Sequence, residues 1–278
     1  MAKKKYFNKK KNLPFFSVIT VVKNDEKNID KTLKSVLSQN FRDFEYILID
    51  GKSKDKTLNI IKKYKKSIAH LKSEIDKGIY YAMNKGIKLA KGHVIVFVNS
   101  GDLLKKNSLK DVSKIFLKDK KIDYVFGTVK RHYTTSTILK YGVNTKRLKF
   151  NFDFATAHST GFFLKREIFK KYGSFNTKFK LSADYDLYYR IIITQKLSGG
   201  STSKNKLIGE VTKGGYSSKV SFIQHLIEET KIRIHNKQNL LLVFIIFVNA
   251  LIKFLIKKII LSNNLNILFF SNQSIEFF

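Results

Sequence analysis

Val94-Ile95-Val96-Phe97-Val98 runs straight into Asn99-Ser100-Gly101-Asp102. The five apolar, mostly β-branched residues read as a central strand of a parallel sheet, buried on both faces. The polar turn that stops the strand brings one carboxylate, Asp102, to the carboxyl edge of the sheet. Open α/β folds bind their ligands at that edge. A strand ending in Asp is also an ordinary turn, so the meaning of this stretch depends on its surroundings.

Upstream, residues 15–22 form a β-rich apolar run that reads as the first strand. Residues 28–39 follow with Ile29, Leu33, Val36 and Leu37 at helical spacing. A second strand over 46–49 ends at Asp50-Gly51, and a helix over 57–64 places Leu58, Ile61 and Tyr64 on one face. Residues 79–90 read as a helix framed by Gly78 and Gly92. Downstream, the pattern predicts a helix over 108–117, strands over 124–130 and 162–164, a helical turn over 166–172 and a helix over 184–193. This alternation predicts an α/β domain with a mostly parallel central sheet and crossover helices on its faces.

The chain has 278 residues, no cysteine and a formal net charge of +33, nearly all of it from lysine. The absence of cysteine excludes a disulfide framework and thiolate-ligated metal. The charge points to a polyanionic neighbour: nucleic acid, an anionic membrane or phosphorylated ligands. Residues 1–12 read as a basic disordered tail, with no apolar run of signal-peptide length behind them.

At Leu240 the composition changes. Residues 240–250 are almost wholly apolar, and Lys253, Lys257 and Lys258 then interrupt the apolar residues up to Leu261. A membrane span needs about 20 apolar residues, and this run meets lysine earlier. Asn249, Lys253 and Lys257 recur every fourth residue, which makes one polar stripe on a helix. The stripe favours a helix lying in the membrane interface, with lysines reaching the headgroups. A spanning helix and a soluble core or oligomer helix are the alternatives.

Several chemistries lack their motifs. There is no G-x-G-x-x-G, P-loop, zinc-type His spacing or G-x-S-x-G elbow. Carboxylates, however, sit where a nucleotide-sugar site needs them: Asp50 and Asp102 at strand ends, and Asp184 and Asp186 opening a later helix. Breaking a sugar–diphosphate bond needs a cation on the leaving diphosphate and a base on the incoming hydroxyl. Asp102 suits the first task, because hard divalent cations bind carboxylate and phosphate oxygens. Asp184 suits the second.

Four ordered segments then resemble the inverting GT-A glycosyltransferases of family 2, in the branch that builds bacterial surface polysaccharides. FSVITVVKND (16–25) resembles the first nucleotide-binding strand and turn. YILIDGKSKDKT (46–57) is similar to the family's I-D-G-x-S-x-D-x-T. SEIDKGIYYAMNKGIKLAKG (73–92) resembles its S-E-x-D-x-G-I-Y-D-A-M-N-K-G-I block. HSTGFFLKREIFKKYGSFNTKFKLSADYDLYYR (158–190) resembles the acceptor-side segment ending in the base-bearing A-D-Y-D-L. GGYSS (214–218) and Glu229 match the usual ending of such domains.

The resemblance implies a GT-A fold and a nucleotide-sugar donor, with UDP as the default nucleotide. It places Thr20, Val22, Asp50, Ser53, Asp76, Lys77, Gly78, Asn84 and Lys85 at the nucleotide-sugar site. It further implies Asp102 as the ligand of Mg²⁺ or Mn²⁺, Asp184 as the general base, and His158 on the acceptor side. A turn that caps the next helix is an equal reading of Asp55.

Three positions depart from the family pattern. Gly101 precedes Asp102 where relatives often have Asp-Asp, Tyr81 stands in place of an Asp, and Ala183 replaces the Glu before the base. Asp186 points away from Asp184 at helical spacing and takes a structural or capping role.

The expectation is therefore a tail over 1–12, a GT-A domain over 13–236 and a membrane-associated segment over 237–278. The protein would act on a lipid-linked or growing glycan in the cytoplasm, peripherally on an anionic membrane surface and without nucleic acid. The sequence does not set an oligomeric state. A non-enzymatic basic binding protein and a catalytically degenerate glycosyltransferase fold are the competing readings.

Overall fold

The computed structural model of the chain describes residues 13–133, 136–142, 145–150, 159–212 and 220–262. The basic tail, His158, the GGYSS segment and the residues after 262 lie outside the described residues. Strands β1 (Phe16–Val22), β2 (Phe44–Asp50), β3 (His70–Ser73) and β4 (Val94–Phe97) all run parallel, in the order β4-β1-β2-β3. Helices α1 (Ile29–Leu37), α2 (Thr57–Lys62) and α3 (Ile79–Leu89) connect them. Because β1 lies between β2 and β4, the strand order reverses at β1, and a crevice opens beyond its carboxyl end. Both faces of this sheet are covered. Along β1, Ile19 and Val21 enter one core with Met83 and Ile87 of α3, and Phe16, Val18 and Val22 enter the other with Leu33 and Val36 of α1.

The chain then makes β5 (Leu103–Leu104), α4 (Ser108–Lys118), β6 (Tyr124–Phe126), β7 (Thr128–His132), β8 (Thr137–Lys140) and α5 (Thr145–Phe150). The single strand predicted over 124–130 is instead two. The chain breaks at Gly127, whose N–H donates to Gly161 O (2.7 Å). β6 joins the large sheet, and β7 joins a second sheet of order β5-β11-β7-β8, where β11 is Leu207–Val211. β9 (Phe162–Lys165) enters the large sheet between β4 and β6, antiparallel to both, and β10 (Gly199–Ser201) closes its edge. The reversed β9 carries its first residues to the same edge at which β4 ends. Helix α6 (Arg166–Tyr172) follows, then α7 (Ala183–Tyr188), which continues into a π-helical stretch, Tyr189–Thr194. Helices α8 (Phe222–His235) and α9 (Leu240–Ser262) end the described chain.

α3 lies unusually close to β1. A Cβ at Gly86 would stand 2.5 Å from Ile19 Cγ2, inside a fully buried side chain. Gly86→Ala is therefore expected to destabilise the fold by about 1–3 kcal/mol through overpacking. Urea unfolding checks this, and a stability equal to wild type would remove the contact.

Candidate active site

The crevice beside β1 is built from two turns. After β4, Ser100 N donates to Val21 O (3.2 Å), and Ser100 Oγ donates to Asp25 Oδ2 (2.6 Å) across the gap. Gly101 has φ +95°, in the left-handed region, and a Cβ there would meet Thr212 Oγ1 at 2.9 Å. An aspartate at this position would be both strained and crowded, so the single-carboxylate turn suits the local backbone.

Asp102 is buried. Its Oδ2 accepts from Thr160 Oγ1 (2.6 Å) and its Oδ1 from Thr212 N (3.4 Å). Among the described residues no three His, Asp or Glu side chains gather into a metal-binding cluster. A buried carboxylate at the carboxyl end of β4 fits a divalent cation of the kind that takes one carboxylate and completes its shell with substrate phosphates and water.

Along the edge from β1 to β3, the nucleotide-side residues separate into two groups. Asp50 ends β2, fully buried, and accepts from Ser53 Oγ (2.5 Å) and Ser73 Oγ (2.5 Å). Ser53 in turn accepts from Asn24 N (2.8 Å). Asp55 behaves as a turn residue, accepting from Glu26 N and Thr57 N.

Thr20 departs from expectation. Its side chain is fully buried, and its hydroxyl donates to Val98 O (2.7 Å) beside Tyr46 Oη (2.9 Å). Thr20 is thus a core linker of β1, β2 and β4, with no exposed atom for a ligand. Val22 is buried in the sheet core. Asn84 likewise turns inward. Its amide clasps the backbone of Phe175, donating to the carbonyl (2.9 Å) and accepting from N–H (3.1 Å).

The loop before α3 carries a group of charged side chains. Asp76 and Glu74 both pair with Lys85, Glu74 at 2.5 Å. Burial pulls the Lys85 ammonium down, but the two carboxylates outweigh it and raise its pKa. The Asp76 side chain is only 6% exposed, yet its Oδ2 has no hydrogen-bond partner among the described residues. Asn99 Oδ1, in the turn after β4, is buried and unpartnered in the same sense. Lys77 and Gly78 are exposed.

On the acceptor side, the structure distinguishes the two aspartates of α7. Asp186 is fully buried, ion-paired to Arg190 (3.0 Å) and hydrogen-bonded by Asn236 (2.9 Å). Asp184 is half-buried, and its Oδ1 accepts from Tyr80 Oη (3.0 Å) and Tyr185 N (2.9 Å). Neither residue 81 nor residue 183 supplies a carboxylate here. Tyr81 is exposed, and Ala183 is buried in the core.

The model of the family described as "Glycosyl transferase family 2" matches residues 17–173, more than half of the chain. The chain belongs to this family. As a family 2 glycosyltransferase it has curated relatives named as glycosyltransferases in bacteria. It is 29% identical to a "PGL/p-HBAD biosynthesis glycosyltransferase" of Mycobacterium bovis over 181 residues, 64% of this chain and 69% of the relative. It is 35% identical to the "Poly(ribitol-phosphate) beta-N-acetylglucosaminyltransferase TarS" of Staphylococcus aureus over 103 residues, 35% of this chain and 18% of that protein.

Among solved structures, TarS 1-349 in complex with UDP-GlcNAc superposes with a TM-score of 0.61 at 21% identity, covering 79% of this chain and 65% of that one. The mannosyltransferase PcManGT from Pyrobaculum calidifontis, in complex with GDP-Man and Mn²⁺, gives 0.59 at 18%, covering 80% and 64%. These likenesses establish the GT-A fold, and the chain spans just under two thirds of both solved chains.

Several residues of this glycosyltransferase's site escaped the sequence reading. Asp25, Thr160 and Thr212 meet the Asp102 turn from three remote segments. Tyr80 and Glu228 converge on the Asp184 turn. Asp25, Tyr80 and Thr160 lie within the quoted motifs, while Thr212 and Glu228 lie outside them.

Proposed function

We propose that this chain is an inverting glycosyltransferase that moves a sugar from a nucleotide-diphosphate donor, taken as a UDP-sugar, to a hydroxyl of a lipid-linked or growing glycan in cell-surface polysaccharide synthesis. The observation that carries this reading is the division of labour between the carboxylates. Asp50 and Asp102 occupy the ligand edge of the sheet, while half-buried Asp184 stands apart from its structural neighbour Asp186.

The nucleotide lies along the β1–β2 edge, near Asp50 and Ser53. Lys77, Gly78 and the unpartnered acceptor of Asp76 approach it from the loop before α3, where a donor hydroxyl satisfies Asp76. Asp102 is the residue that would hold Mg²⁺ or Mn²⁺, and the cation would supply positive charge to the leaving diphosphate. Asp184 takes the proton of the acceptor hydroxyl as its oxygen attacks the anomeric carbon, opposite the diphosphate. The bond to the diphosphate breaks with its electron pair, and the configuration inverts. His158 remains a proposed acceptor-side residue. Incubating the chain with UDP-sugars, Mn²⁺ and a lipid-linked glycan tests the reading. UDP release with a new β- or α-linkage of inverted configuration is expected, and absence of any nucleotide response removes the reading.

The domain limits proposed are a tail over 1–12, a catalytic domain over 13–236 and a membrane-associated segment over 237–278. Leu240–Ile259 is long and apolar enough to cross a bilayer. Its surroundings favour an interfacial helix on the inner face of the cell membrane. Phe254 stacks on Phe222 of α8 (4.6 Å, 12°), and Val243 is buried, so one side of α9 rests on the domain. Leu240, Leu241, Phe244, Ile245, Ile252 and Ile256 are exposed on an arc of about 160°. Asn249, Lys253 and Lys257 line the arc's polar border. A helix laid along the domain presents this apolar arc to acyl chains and its lysines to anionic headgroups. A chain ending at Asn239 is expected to leave the membrane fraction, and its continued sedimentation with membranes would remove α9 as the anchor.

A further inference from the structure

We propose that Tyr80 and Glu228 are positioning residues for the base, Tyr80 by direct contact with the Asp184 carboxylate and Glu228 by fixing the turn from which it projects. This inference rests on the reading of Asp184 as the base.

α7 and the π-helical stretch that continues it span only residues 183–194, a length at which an isolated helix is marginal. The orientation of α7 must come from its neighbours. The turn before it offers three successive backbone amides, and all three donate to one carboxylate. Lys180 N reaches Glu228 Oε2 (3.0 Å), while Leu181 N (2.6 Å) and Ser182 N (2.7 Å) reach Oε1. Such charge-assisted bonds are stronger than neutral ones. The grip belongs to Glu228. Glu229 is buried beside it, with a pKa raised well above the usual range by burial.

The opposite side of the turn is held by α3. Tyr80 Oη lies 3.0 Å from Leu181 O and 3.0 Å from Asp184 Oδ1, so its single proton is shared between the turn and the base. One helical turn later, Asn84 clasps Phe175. α3 starts directly after Asp76-Lys77-Gly78, the loop assigned to the donor. One rigid helix therefore joins the donor loop to the segment that carries the base. Catalysis is sensitive to misplacements of about 1 Å, and this connection fixes the base relative to the donor.

The brace also sets the electrostatics of the base. A hydrogen bond donated to a carboxylate favours its ionised form. The other titratable groups around this turn are Tyr188 of α7 and His225, Glu228, Glu229 and Arg233 of α8. Burial, followed by the charge of Asp184, raises the Tyr80 pKa well above the ordinary phenol value, so Tyr80 keeps its proton and remains the donor.

Tyr80→Phe removes only the hydroxyl, and Glu228→Gln keeps the shape of the brace. With the full chain in detergent micelles, Tyr80→Phe is expected to lower kcat about tenfold, the size of one hydrogen bond to a charged group. Donor KM stays unchanged, and the acidic limb of the kcat–pH profile moves to higher pH. Glu228→Gln lowers kcat with donor KM unchanged and leaves that limb in place. An unaltered kcat and pH profile in Tyr80→Phe, or a loss explained by a lower melting temperature alone, overturns the inference. Titration of the Asp184 carboxyl by ¹³C NMR, assigned with Asp184→Asn, separates this inference from the reading beneath it. An upward shift in Tyr80→Phe upholds the direct contact even if no transfer is found, and no shift removes it. Full transfer by Asp184→Asn overturns the base assignment instead.

Discussion

Asp184→Asn is expected to lower sugar transfer by about 10²–10⁴-fold, the range that a positioned general base supplies, with donor binding intact. The substitution is nearly isosteric. The amide oxygen can still accept from Tyr80 Oη and Tyr185 N, so the start of α7 keeps its contacts. Only the capacity to take a proton is lost. Asp186→Asn is the matched control, because its fully buried side chain serves Arg190 and Asn236. That variant is expected to lose about 1–3 kcal/mol of stability, as when a buried charged hydrogen bond is weakened. It keeps a normal turnover per folded molecule. Steady-state transfer at saturating donor, alongside thermal melting, distinguishes the two. Full turnover by Asp184→Asn would take the base role away from it.

Asp102→Ala is expected to abolish turnover as well, through the leaving group. It also removes an acceptor from the fully buried Thr160 hydroxyl, a loss of about 1–3 kcal/mol. Asp102→Asn isolates the chemical effect, since its carbonyl oxygen can still accept while the negative charge is gone. Calorimetric titration of UDP with and without Mn²⁺ provides the readout. Wild type is expected to bind UDP more tightly with Mn²⁺, and Asp102→Asn to show no such gain. An equal gain in both proteins would place the cation elsewhere. Gly101→Asp, which restores the relatives' paired carboxylates, is expected to destabilise the turn, because φ +95° and Thr212 both oppose a side chain there.

Much of the fold was legible in the chain because its elements announce themselves locally. β1, β2 and β4 are largely apolar runs, as strands covered on both faces tend to be, and each gives way to polar residues at its carboxyl end. Asp50 and Asp102 were visible for that reason. Asp186 was separable from Asp184 because helical spacing turns adjacent carboxylates to different surroundings. The short strands β5, β10 and β11 carry too few residues to show a period, and the break at Gly127 depends on Gly161.

The sequence by itself therefore determined the alternating α/β order, the carboxylates at strand ends and the apolar character of the residues that form α9. Only the tertiary structure decided which polar side chains are taken up by partners inside the fold. Thr20 and Asn84 sit in motif positions, yet their hydrogen bonds go to Val98, Tyr46 and Phe175, partners many residues away. Tyr80 and Glu228 gained a place beside Asp184 for the same reason. A buried polar group must find a partner, and which partner it finds depends on how separate elements dock, which no local pattern records.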